Sequence, residues 1–271
     1  MIRVARLSIL VIVSSLIAFE GQVRSDEPIK SKINPRALAM LGEIAAAYRA
    51  LPAYRDAGSV TLKRIVEGQS ETRTTPVTIA LVRPNALSVV TPLARLVCDG
   101  KIQLTIATPL KRYTEAPAPG VLSFETVFTG GALGSALFGS PAAPMLSVVT
   151  NFLLGNDATR AVLDLGDTLA LESDAPLDGV SCHLLKVGSE SGASYRLWID
   201  PKTKLLRAID MDLASSAKAD PAVAIHRFAW TSGPISTERA PASTFRVTPP
   251  ADFEKVGTVA GAKGDRTRPG K

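Results

Sequence analysis

The chain has 271 residues, 46% of them hydrophobic and 21% charged, a balance that excludes an intrinsically disordered protein and suits a domain with a real core. The net charge is +6, but Arg3, Arg6, Lys263, Arg266, Arg268 and Lys271 place much of the excess at the two ends. Aromatics make up only 5% and no basic stripe is interleaved with them, which argues against nucleic acid as a partner.

The first element in chain order is a targeting signal. Arg3 and Arg6 precede a mostly apolar run from Leu7 to Phe19, and polar Glu20, Gln22, Arg24 and Ser25 follow. A basic start, a short apolar stretch and a polar exit predict a signal peptide over residues 1–25, too short to span a membrane comfortably. An uncleaved anchor is the alternative. No Cys stands just after the apolar run, so a lipid-anchored form is not expected. The mature protein is expected to be periplasmic or otherwise exported.

Asn34-Pro35 then predicts a helix start, with Asn as the cap and Pro in the first turn. Leu38, Leu41, Ile44, Ala45, Tyr48 and Leu51 recur at helical spacing until Pro52 stops the pattern. From Val60 the period changes to two. Alternating runs at 60–67, 77–82, 96–98 and 102–106 are separated by Glu67-Gly68, Pro84-Asn85, Asp99-Gly100 and Pro109. Closely spaced strands without helices between them predict an antiparallel meander.

The stretch from Pro117 to Leu165 is rich in Gly, Ala, Leu and Phe. Short helices are expected at 123–129 and 142–154, with a further turn capped by Asp157. These helices are too apolar for a surface and must be buried or cover something apolar. Strand rhythm returns at 169–172, 180–187, 194–200, 205–213 and 223–230. The basic tail 257–271 lacks periodicity and is expected to be disordered. The whole predicts an α+β domain over residues 33–256, one long antiparallel sheet interrupted by a helical insertion.

Little in the chain suggests catalysis. His183 and His226 are the only imidazoles. His183 adjoins Cys182 in an alternating strand, so the two side chains point to opposite faces. No nucleophile elbow, phosphate loop or C-x-x-C is present. No catalytic residue, cofactor or metal site is expected, and Asp210 and Asp212 read as a solvated sheet face. Cys98 and Cys182 are the only cysteines. In an oxidising compartment they can pair, and two buried free thiols fit the strand pattern equally well.

Apolar binding needs only area and shape. A buried methylene is worth about 0.8 kcal/mol, so an acyl chain of a dozen carbons offers roughly 10 kcal/mol before ordering costs. Leu104, Phe124, Phe128, Phe138, Met145, Phe152, Leu197 and Ile209 are the candidate lining groups; closed core is the plainer reading of each. Gly130, Gly131, Gly134 and Gly139 read as hinges of a lid or as loop residues.

Three segments, in order, carry a family likeness: Arg83-Pro84-Asn85-Ala86-Leu87; Cys98-Asp99-Gly100-Lys101 with its following strand and Pro109-Leu110-Lys111-Arg112-Tyr113; and Thr244-Phe245-Arg246-Val247-Thr248-Pro249-Pro250. This order resembles the LolA/LolB-like superfamily of periplasmic lipoprotein carriers. More closely, Tyr48-Arg49-Ala50-Leu51-Pro52-Ala53-Tyr54, Asp178-Gly179-Val180-Ser181-Cys182-His183 and Trp198-Ile199-Asp200 resemble an uncharacterised exported LolA-like family. The resemblance implies a curved sheet forming an incomplete barrel, covered on its concave face by helices, with a lipid or lipid-modified protein as partner. It also implies that Arg83 latches the helical lid. The chain departs from the carriers after Asp99-Gly100-Lys101, where they place aromatics, and in its longer middle insertion. The expected function is non-catalytic binding of acyl chains by a monomer. The alternative is an envelope sensor or protein-interaction module whose groove its own side chains fill.

Overall fold

The computed structural model describes residues 32–66, 68–128, 143–189, 193–213 and 223–257. The expected signal peptide, Phe138, the candidate hinge glycines and all of the tail beyond Gly257 lie outside them.

Helix α1 (Pro35–Ala50) begins as its sequence dictates. Asn34 Oδ1 accepts from the N–H groups of Arg36 at 2.9 Å and Ala37 at 3.2 Å, satisfying donors that have no partner within the helix. Leu51 leaves in extended geometry, as a residue before proline must. Ala37, Leu41, Ile44, Ala45 and Tyr48 are buried.

Six strands follow: β1 (Ala53–Val66), β2 (Gln69–Val82), β3 (Ala86–Val90), β4 (Ala94–Asp99), β5 (Ile102–Ala107) and β6 (Arg112–Pro117). Each pairs antiparallel with the next. At the β4–β5 turn, Asp99 Oδ1 accepts from Lys101 N and Ile102 N at 2.9 Å each. Gly100 there takes φ +88°, which only glycine adopts without strain. Three helices come next, α2 (Phe124–Phe128), α3 (Ala143–Leu154) and α4 (Ala158–Leu163). Asp157 caps α4 by accepting from Arg160 N at 2.9 Å.

The second run of strands is β7 (Thr168–Leu177), β8 (Val180–Gly188), β9 (Ser194–Ile199), β10 (Leu206–Asp212) and β11 (Val223–Thr231), with a short β12 (Glu254–Lys255) near the end. Strand β11 returns to pair antiparallel with β1, which merges both runs into one sheet of order β12-β6-β5-β4-β3-β2-β1-β11-β10-β9-β8-β7. Among the described strand pairs, only β12 on β6 is parallel. The sheet is curved and unclosed, with β12 and β7 at its two edges.

Alternation along each strand produces two apolar faces of unequal size. The main core joins one face of the sheet, including Tyr54, Val60, Ile79, Leu87 and Leu197, with Leu41, Ile44 and Tyr48 of α1, Phe152 of α3 and Val162 of α4. A smaller cluster on the β4–β5 pair holds Val97, Leu104 and Ile106, packed with Tyr113 and with Val247 and Phe253 of the C-terminal segment. That segment is stitched to β6 by Glu254 N to Lys111 O and Val256 N to Tyr113 O, 2.9 Å each.

Candidate ligand-binding site

Arg83 directly follows β2 and reaches the ends of two helices. Its Nε donates to Leu51 O at 2.9 Å, and one terminal nitrogen donates to Tyr48 O at 3.3 Å and Leu153 O at 3.0 Å. Its own backbone N–H donates to Pro52 O at 3.0 Å. The carbonyls of Tyr48, Leu51 and Leu153 lie at the C-terminal ends of α1 and α3, where intrahelical donors run out and the helix dipole is negative; Tyr48 O also accepts the capping N–H of Leu51 at 3.3 Å. A planar guanidinium serves several such acceptors at once. One side chain therefore ties two helices to the end of a strand.

Directly beside this tie lies an aromatic cluster. The Tyr48 ring stacks on Phe152 of α3 with centroids 5.3 Å apart and tilts against Tyr54 of β1 at 5.8 Å. The Tyr48 hydroxyl accepts from Leu206 N at 3.2 Å, so α1 is held to β10 as well. Burial pushes the Tyr48 and Tyr54 phenols above their ordinary range. Both tyrosines belong to the Y-R-x-L-x-x-Y segment, which the sequence marks as a likeness without saying what it does.

Five of the eight candidate lining residues meet in the main core. Phe128, Phe152, Leu197 and Ile209 are 3%, 1%, 0% and 0% exposed, and half-buried Phe124 packs against the same cluster. Leu197 and Ile209 are register partners, and Ile209 pairs in turn with Trp230 on β11. Leu104 does not join them; strand alternation turns it to the other face, beside Val97 and Ile106. Phe138 lies outside the described residues. Met145 falls within α3.

The two cysteines are free and buried. Cys98 is on β4 and Cys182 on β8, with six strands between them in the sheet order, so the expected alternative of a disulfide is not what the structure contains. Cys98 Sγ instead donates to Asn85 O at 3.3 Å. His183 is 3.0 Å from Asp174 through Nδ1; His226 belongs to β11, separated from β8 by β9 and β10. Asp212 is exposed as expected of a solvated face, but Asp210 is buried. Arg227 on the neighbouring strand covers it with a bidentate ion pair.

One polar residue of the interior escapes sequence reading. Asp56 shares a face of β1 with Tyr54, Val60 and Leu62 and is 1% exposed. One carboxyl oxygen accepts from Gly233 N at 2.7 Å, and the other has no partner. Burial raises its pKa to about 7 against those backbone hydrogen bonds. The signal is present in the alternation, since Asp56 falls on the apolar parity, but the residue type hides it.

No known family matches the sequence and no curated protein matches it. Among solved structures, the chain is similar to an uncharacterised conserved protein from Thermus thermophilus at 9% identity, with 82% of this chain and 99% of that one covered and a TM-score of 0.43. It is similar to a putative outer membrane lipoprotein-sorting protein domain from Vibrio parahaemolyticus at 11% identity, covering 74% and 92%, with a TM-score of 0.33. A LolA superfamily protein from Nitrosomonas europaea aligns at 8% identity over 78% of this chain and 97% of that one, with a TM-score of 0.29. The solved structures to which this chain is similar thus include LolA superfamily proteins.

Proposed function

We propose that this protein is an exported, non-catalytic binding protein that takes the acyl chains of a lipid, or of a lipid-modified protein, between the concave face of its sheet and the helices covering it. The observation that carries this reading is the Arg83 tie. Arg83 joins the C-terminal ends of α1 and α3 to the end of β2 through hydrogen bonds, and contacts of that kind can be released and remade by a cover that opens. The magnitudes permit it. Releasing the three hydrogen bonds of Arg83 costs roughly 1.5 kcal/mol each, while burying about a dozen methylenes returns roughly 10 kcal/mol before ordering costs.

A second reading is favoured by a different observation. Phe128, Phe152, Leu197 and Ile209 are at most 3% exposed, so the interior is filled by the protein's own side chains. On this reading the fold is an envelope sensor or protein-interaction module. One experiment separates the two. Protein purified natively from envelope extracts is expected to yield acyl lipid by mass spectrometry and to bind a fluorescent fatty acid. An interior that takes up neither, in protein that still captures an envelope partner, would establish the second reading instead.

A further inference from the structure

A cavity of about 550 Å³ opens at the start of β10. It is walled by three chain segments: the β7–β8 turn with Asp178, the β9–β10 turn with Asp200 and Thr203, and the stretch after β11 from Ser232 to Thr237. The walls are held in place. Asp200 Oδ1 accepts from Lys202 N and Thr203 N at 2.9 and 3.0 Å. Asp56 holds Gly233, and Arg55 and Ser236 exchange backbone hydrogen bonds of 2.8 and 2.9 Å. A Cβ on Gly233 would meet Ala57 O at 2.3 Å, so this wall lies against β1 as closely as a chain can.

Among the described residues, Arg207 supplies the only positive charge lining this cavity. It occupies the register shift between Leu206 and Ala208, a bulge position of the kind that can re-aim a side chain. Its guanidinium keeps spare donors: Asp200 stands 3.5 Å from Nη1, longer than a charge-assisted hydrogen bond of about 2.8 Å. Asp178 makes no ion pair among the described residues and is exposed at its turn. The cavity floor is apolar: Leu205 belongs to the main core and Ile235 packs on it.

We infer that this cavity binds the phosphate–ammonium zwitterion of a phosphoethanolamine-type headgroup, with phosphate on Arg207 and ammonium on Asp178. A purely anionic ligand would face two carboxylates for one guanidinium, and a purely cationic one would leave Arg207 repelling it. A zwitterion answers both charges, and the apolar floor of Leu205 and Ile235 gives the first methylenes of its chains an apolar surface. The inference rests on the acyl-binding reading only for where the remainder of those chains lies.

The test measures binding of the full chain to four probes: short-chain phosphatidylethanolamine, short-chain phosphatidylglycerol, glycerophosphoethanolamine and a fluorescent fatty acid. Phosphatidylethanolamine is expected to bind about tenfold tighter than phosphatidylglycerol, and Arg207→Gln and Asp178→Asn each to remove about tenfold. Asp178 has φ 49°, which Asn accepts readily, so that variant keeps the test sound if Arg207→Gln misfolds. Equal binding of the two phospholipids, or no effect of Asp178→Asn, overturns the inference and leaves acyl binding intact. Glycerophosphoethanolamine binding as tightly as the lipid, with the same dependence on Asp178, upholds the zwitterion site but assigns it a free phosphate ester. Failure of the fatty acid alone sinks the acyl-binding reading and not this site.

Discussion

Asp56 sits where the alternation of β1 calls for an apolar side chain, and its ionisation therefore couples to folding. Below about pH 4 the carboxyl is protonated in folded and unfolded chains alike. Between about 4 and 7 the unfolded chain releases its proton while the folded chain keeps it, so this group's contribution to stability falls as pH rises and levels off above 7. A shift of this size corresponds to on the order of 4 kcal/mol. Asp56→Asn retains an acceptor for Gly233 N and removes the ionisation. The variant is expected to match the wild type near pH 4 and to exceed its stability by a few kcal/mol at pH 8, read by urea unfolding across that range. A constant difference between the two at all pH values would show that Asp56 is charged in the folded protein. Nothing in the one-dimensional pattern reveals such a group, because hydropathy scores Asp as surface and burial depends on which loop folds over it.

At the scale of elements, the ends of helices were the most legible features. Asn34-Pro35 and Asp157 placed two helix starts correctly because capping is a local interaction between neighbours in sequence. Arg83 is a different case: its position in the chain suggested a role by resemblance, but its acceptors Tyr48, Leu51 and Leu153 come from helices far away in sequence. Arg83→Ala is expected to cost roughly 3 kcal/mol, since two helix ends lose a donor. It should also speed amide exchange in the last turns of α1 and α3 more than elsewhere. Arg83→Lys should recover only part of the loss, because an ammonium cannot match the guanidinium fork. Exchange that accelerates uniformly over the sheet would mean that Arg83 acts on global stability and not on the helices. Leu104 shows the limit of strand reading: its alternation was legible, but which of two apolar faces it joined depended on the C-terminal segment supplying Val247 and Phe253 to the other side.

For the whole molecule, the order of strands decides what the sequence left open. Cys98 and Cys182 both occupy strand positions of the right parity for burial, yet β4 and β8 stand on opposite sides of the β2–β1–β11 centre. Burial also pushes both thiols above their ordinary pKa, which suppresses the reactive thiolate. Native protein is therefore expected to resist a thiol reagent, and unfolded protein to titrate both cysteines without prior reduction. Release of no thiol on unfolding would show a disulfide and a different sheet order.

The sequence by itself determined the antiparallel class, the change from helical to strand period and back, and the helix starts and glycine turns, because each rests on contacts between residues close along the chain. Only the tertiary structure decided that β11 returns to β1, that Asp56 is buried beneath Gly233 and that Arg207 and Asp178 face one cavity. Those outcomes depend on pairings between residues more than a hundred positions apart or on turns that meet only once the sheet is complete. No local propensity encodes them.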